Sequence, residues 1–193
     1  MDRELTVGIA SVQGPASEER RLLERARKGD ERAFAELIRG FDPAARMLAY
    51  RLLGDREAME DALQEAYVKA FLGLSRFRRR AALQTWLYRI VYNCCLDQLK
   101  RRPVAGTSLA SEQVAPLTDT AERVATRTSL DAALSSLAPL ERTAVLLVDA
   151  LGLSYEEAAA VVGVPRGTIA SRLSRARGAL RRSLGEAVEG GSE

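Results

Sequence analysis

Guanidinium groups dominate the reactive side chains of this sequence, and they are not spread evenly. The stretch GVPRGTIASRLSRARGALRR, Gly163 to Arg182, holds six arginines and no acidic residue, yet apolar residues recur through it. Arg76 to Arg102 holds eight basic residues against one acid, Asp97. A guanidinium grips phosphate as a charge and reads the O6/N7 edge of guanine as a fork. The two clusters therefore point to nucleic acid, although the formal net charge over 193 residues is only +3. Two well-solvated basic helix faces are the plain alternative. Other chemistries lack their usual equipment. The absence of histidine removes the commonest general base, the nucleophile–histidine pairs and the usual zinc ligand. Cys94 and Cys95 are adjacent, which offers neither a small-loop disulfide nor a metal-ligand spacing. No enzyme activity, metal or cofactor is expected.

The elements that must position these groups all read as helix. Good helix formers dominate, apolar residues recur at spacings of three and four, and no stretch alternates as a strand would. One helix follows Asp30. Asp42-Pro43 supplies a cap and a first-turn proline for a second, which ends near Gly54. Asp55 caps a third that runs to about Leu72, and a basic loop, GLSRFRRRAA, leads to a long helix from about Leu83 to just before Pro103. Residues 103–121 are small and polar with no helical stripe, and read as a flexible linker. A second helical unit follows, with Pro139 opening one helix and Gly152 closing it. The expected fold is all-α: a unit over 22–102 after an N-terminal extension (1–21), the linker, a unit over 122–184, and a disordered tail (185–193). No apolar run approaches the roughly 20 residues that span a membrane, and the N-terminus is too weakly apolar for a secretory signal. Membrane insertion is not expected, and the expected location is the cytoplasm.

The arginine-rich stretch completes a helix-turn-helix. Ser154 with Glu157 makes a capping box, Gly163 can end that short helix, and Pro165 opens the next. At 100° per residue, Ile169, Leu173, Ala176 and Leu180 project inward. Gly167, Ser171, Ser174 and Gly178 project outward, flanked by Arg172, Arg175 and Arg182. A row of small residues lets a helix approach a surface closely, and the edging arginines reach bases or phosphates. This pattern favours DNA in a groove over a solvated face.

Two further faces stay open on residue types alone. On REAMEDALQEAYVKAF, Met59, Leu63, Ala66 and Ala70 project inward; Glu57, Asp61, Gln64, Glu65 and Val68 form an outward stripe. That stripe is either an ordinary charged surface or a docking face for a basic partner. The helix LQTWLYRIVYNCCLDQLKRR buries Tyr88, Val91, Tyr92, Cys95 and Leu99, with Cys94 at the boundary. Its other face presents Trp86, Arg89, Asn93, Asp97 and Lys100 beside the loop with Phe77. Aromatic faces, an amide and arginines together suit unstacked bases. Alternatively, Trp86 folds back to anchor the loop.

The motifs DALQEAYVKAF, TWLYRIVYNCCLDQLKRR and GTIASRLSRARGAL, in this order across a linker, resemble the extracytoplasmic-function (ECF) sigma factors of the sigma-70 family. The resemblance covers roughly Leu22 to Leu184. It implies a sigma region 2 domain, a linker and a sigma region 4 domain. By position, Asp61, Gln64 and Glu65 then correspond to the segment that docks on core RNA polymerase. Phe77, Arg79, Arg80, Trp86, Arg89, Asn93, Asp97 and Lys100 correspond to the part that melts and reads the minus-ten element as single strand. Arg166, Thr168, Ser171, Arg172 and Arg175 correspond to the reader of the minus-35 duplex. Ala170 stands where the family often has lysine, and Pro165 where serine is frequent, so the promoter sequence is left open. The resemblance further implies regulation by an anti-sigma protein. The implied function is promoter-specific transcription initiation. A stand-alone helix-turn-helix regulator is the alternative, and it would leave the acidic stripe and the aromatic-basic loop without a role.

Overall fold

The computed structural model describes residues 16–77, 82–101 and 130–189, with side chains from residue 18 up to 184. Every regular element among them is helical, and the chain divides into two compact units, Met1–Ala105 and Gly106–Glu193. The expected linker and the loop arginines Arg79 and Arg80 lie outside the described residues.

The first unit comprises α1 (Ala16–Ala26), α2 (Glu31–Arg39), α3 (Asp42–Leu53), α4 (Arg56–Gly73), a 3₁₀ turn (Leu74–Arg76) and α5 (Leu83–Arg101). Local capping sets most boundaries. Asp30 accepts from the Ala33 amide at 3.0 Å and Asp55 from the Ala58 amide at 2.7 Å, satisfying N–H groups that a helix start leaves open. Asp42 does not cap α3 as expected. It is the first helical residue, with Phe41 at the cap. Its carboxylate instead accepts from Arg46 Nε at 2.8 Å and Tyr67 Oη at 2.7 Å, which ties α3 to α4. The α1 helix begins at Ala16, ahead of the boundary expected at residue 22. Its Leu22, Leu23 and Ala26 join Leu37 and Ile38 of α2 in one apolar cluster with Phe77, Leu83 and Leu87.

Helices α3, α4 and α5 pack on one another. The expected inward face of α4 is confirmed, with Met59, Leu63, Ala66 and Ala70 all buried. In α5, Tyr88, Val91, Tyr92 and Cys95 are buried as expected, but two assignments change. Cys94 is wholly buried rather than at the boundary, because both α3 and α4 pack on α5 and widen its buried face. Leu99, expected inside, is 40% exposed in the last turns of the helix.

The second unit comprises α6 (described over 130–136), α7 (Pro139–Val145) continuing through a π-turn at Leu146–Ala150, α8 (Tyr155–Val162) and α9 (Arg166–Glu189). Leu134, Leu137, Ala144, Val145, Leu173 and Ala176 form its core. The capping box at α8 is formed in full: the Glu157 amide donates to Ser154 Oγ at 3.2 Å, and the Ser154 amide donates to Glu157 Oε2 at 2.9 Å. Gly163 ends α8 at φ 78°, a left-handed conformation that a side chain would strain. Val164 and Pro165 complete the turn, so the proline stands just before α9 rather than inside its first turn. The α9 helix runs on through Glu189, past Gly185, where a tail was expected.

Candidate nucleic-acid interface

The α9 helix turns the expected face inward. Ile169, Leu173 and Ala176 are almost completely buried and Leu180 is half-buried. Gly167, Ser171 and Ser174 are exposed on the other side, whereas Gly178, expected with them, is half-buried, so the row of small residues is accessible over its first three positions. Ser171 Oγ donates to the Thr168 carbonyl at 3.0 Å, which leaves little side-chain bulk standing off the helix. Thr168 itself is half-buried.

The arginines of α9 are not equivalent. Arg166 Nε lies 2.6 Å from Glu156 Oε1, and its guanidinium sits 5.8 Å above the Tyr155 ring. Arg175 Nε donates to Glu141 Oε1 at 2.8 Å. Arg177 is held to Asp149 through both Nε, at 3.1 Å, and Nη2. Arg172, expected on the outer edge, is half-buried, and its Nη1 is enclosed without a hydrogen-bond partner among the described residues. At 100° per residue it lies closer to the buried side of α9 than Arg175 does.

In the first unit the acidic stripe of α4 stands as expected, with Asp61 and Gln64 exposed. Glu65 is half-buried and bonded to Lys69 at 2.8 Å and Arg101 at 3.3 Å. The Lys69 hydrogen bond, helped by Arg101, holds the Glu65 carboxyl below the ordinary range. The stripe ends in two exposed apolar residues, Val68 at 55% and Leu72 at 71%. Leu72 follows from the same helical period, one turn beyond Val68, and extending the stripe would have found it.

The α5 face divides. Arg89, Asn93 and Lys100 are exposed. Asp97 is half-buried between Lys100 at 3.6 Å and Lys69 at 3.9 Å. Trp86 folds back: its ring lies 5.1 Å from the Phe77 ring, and a Cβ added to Gly73 would meet its Cζ2 at 3.3 Å. Phe77, expected to face DNA, is 5% exposed and belongs to the apolar cluster of α1 and α2. It has no face free for a base in this conformation, because α1 supplies apolar surface that the basic loop sequence does not reveal. Sequence reasoning also missed the acids that hold the α9 arginines, namely Glu141, Asp149 and Glu156.

Two helical units, the second carrying a helix-turn-helix with a small-residue face edged by arginines, define a helix-turn-helix protein. The sequence pattern "Sigma-70 region 2" matches residues 37–103, and "Sigma-70, region 4" matches 127–180. The chain is 40% identical over 157 residues to the ECF RNA polymerase sigma factor SigM of Mycobacterium tuberculosis, covering 81% of this chain and 80% of SigM. It is 33% identical to the RNA polymerase sigma-H factor of Pseudomonas aeruginosa, covering 86% of this chain and 94% of that protein. The fold superposes on CnrH in complex with the cytosolic domain of CnrY with TM-score 0.68 at 25% identity, covering 88% and 98% of the two chains. It also matches the sigma factor RpoE of Bartonella quintana, in complex with the anti-sigma factor NepR, with TM-score 0.63 at 28% identity and coverage of 78% and 96%. The chain belongs to the ECF sigma factors of the sigma-70 family. It is a sigma factor for transcription initiation, which decides against the stand-alone regulator. Among the described residues no helix is long and apolar enough to cross a membrane.

Proposed function

We propose that this chain acts in the cytoplasm as a dissociable promoter-specificity subunit, docking on core RNA polymerase through α4 and reading promoter DNA through α5 and α9. Region 2, over 22–102, would hold the polymerase and the single-stranded minus-ten element. Region 4, over 122–184, would hold the minus-35 duplex. The observation that carries the docking role is the α4 stripe, where Asp61 and Gln64 lead in line to Val68 and Leu72, all exposed on a helix whose other face is the core. A purely solvated face gains nothing from two large apolar side chains held in water. On α5, Arg89 and Lys100 attract backbone, and Asn93 can read an unpaired base edge. The Trp86 ring is partly open while packed on Phe77, so it supplies a fixed edge rather than a free platform. Arg166, Thr168, Ser171, Arg172 and Arg175 remain the minus-35 candidates, with Arg172 the least accessible.

Strand opening needs no hydrolysis in this reading. Binding of unstacked bases offsets an unstacking cost of a few kcal/mol per step, and two weak sites on one chain raise each other's effective concentration. RpoE of Bartonella quintana is bound by the anti-sigma factor NepR and CnrH by the cytosolic domain of CnrY, and we extend control by such a bound protein to this chain. Co-purification with core polymerase tests the docking role. Asp61→Arg abolishes it while thermal unfolding stays unchanged, because the side chain projects to solvent. The same change at buried Met59 unfolds region 2 instead. Undiminished co-purification of the Asp61 variant removes the docking assignment.

A further inference from the structure

We infer that Glu141 of α7 is a positioning residue for promoter reading: it fixes the guanidinium of Arg175 so that its two terminal nitrogens face the minus-35 base pairs. This deepens the minus-35 assignment of α9 and rests on it. Glu141 lies in the first turn of α7, where the helix dipole favours a carboxylate. Its side chain is only 20% exposed, against 63% for Arg175. A largely enclosed acid thus holds a largely exposed cation, from an element 34 residues away in sequence.

The atoms used decide what remains available. Glu141 takes the Arg175 Nε–H at 2.8 Å, and Nη1 and Nη2 make no hydrogen bond among the described residues. Those two nitrogens form the end-on fork that fits guanine O6 and N7. Arg177 is the contrast, because Asp149 takes Nε and Nη2 together and uses up one whole edge of the guanidinium. Arg166 is also held at Nε, but its Glu156 partner is itself 66% exposed, and its guanidinium lies over the Tyr155 ring. Arg172 has a terminal nitrogen enclosed.

A free arginine must be ordered when it binds, and that ordering opposes affinity. Glu141 orders Arg175 in the folded protein beforehand. A carboxylate beside an arginine is a poor device for gripping phosphate, since it repels the backbone and weakens the cation. It suits a base contact, where direction matters more than net charge.

The test uses holoenzyme and promoter duplexes bearing each single substitution across the minus-35 element, over a salt series. Arg175→Ala loses preference at one base-pair position. Glu141→Ala loses about tenfold of the preference at that same position, within the range for one bidentate contact. It adds nothing when combined with Arg175→Ala. Glu141→Asp keeps the charge at the helix start but is a methylene too short to reach Nε, and loses the same preference. Glu141→Gln retains most of it, because an amide oxygen still accepts. A Glu141→Ala holoenzyme that binds every duplex more tightly with a steeper salt slope overturns the inference, since the carboxylate then only repels DNA. So does preference unchanged in both Glu141→Ala and Glu141→Asp. If Arg175→Ala itself reads every position as the parent does, the minus-35 role of Arg175 falls, and the inference with it.

Discussion

Replacement of Leu72 by glutamine should separate docking from folding. Leu72 is 71% exposed in the last turn of α4, so the fold draws little from it. Burying a leucine fully is worth about 1.5–3 kcal/mol, so roughly 1–2 kcal/mol remains to be gained when a partner covers this one. Leu72→Gln should therefore weaken binding to core polymerase by about 5- to 30-fold. Its effect on stability should stay within about 0.5 kcal/mol, as for exposed positions generally. Leu63, on the opposite face of the same helix and 1% exposed, gives the contrast. Leu63→Ala should cost about 2–5 kcal/mol of stability from lost burial and a residual cavity. The assay is competition against the parent protein for a limiting amount of core polymerase, with thermal unfolding followed by circular dichroism. If Leu72→Gln competes as the parent does, the docking surface stops short of the last turn. If it unfolds as readily as Leu63→Ala, Leu72 is part of the core and the reasoning from exposure fails.

Two other predictions rest on different atoms. Asn93→Ala should impair promoter opening more than promoter binding, read by permanganate footprinting of the melted region; equal loss of closed and open complexes would assign Asn93 to the domain rather than to DNA. Asn93 is the cleaner probe than Trp86, whose removal also takes a ring off Phe77. Burial pushes the Cys95 thiol up to about 12 and raises that of Cys94, while unfolded thiols ionise near their ordinary value of about 8.5. The folded chain thus holds the extra protons, so stability from the neutral thiols is complete below that ordinary value. It falls as pH rises toward the folded values, by up to about 1.4 kcal/mol per pH unit for each thiol. Denaturant unfolding of region 2 from pH 8 to 11 should show a shallower decline for Cys95→Ala than for the parent, and parallel declines would place the thiol outside the titration.

What could be read from the sequence was local or periodic. The Ser154–Glu157 capping box, the Gly163 turn and the inward faces of α4 and α9 depend on residues within a few positions, where one helical geometry decides the outcome. The outward stripe of α4 followed from the same period. What could not be read depended on a second neighbour. Glu141 meets Arg175, and Asp149 meets Arg177, only once α7 has packed on α9. Phe77 looked like part of a solvent-facing basic loop until the apolar residues of α1, a helix rich in charge, closed over it. Cys94 moved inside because two helices, not one, press on α5. The end of α9 at Glu189 has another cause. One glycine inside a helix costs about 1 kcal/mol, too little to stop α9 at Gly185 when good helix formers follow.

Gly73 and Trp86 have a consequence for how this sequence can drift. A Cβ at 73 would lie 3.3 Å from Cζ2, so the indole would have to give by a few tenths of an ångström, while loss of the indole would leave the end of α4 and the Phe77 ring without their cover. Neither position can change size freely while the other stays fixed. The two behave as a single heritable unit, and a larger residue at 73 is better accommodated where the ring at 86 has shifted or shrunk. One member of that unit closes the proposed polymerase-docking helix and the other opens the proposed base-reading helix, so variation in one proposed contact is steered by the geometry of the other.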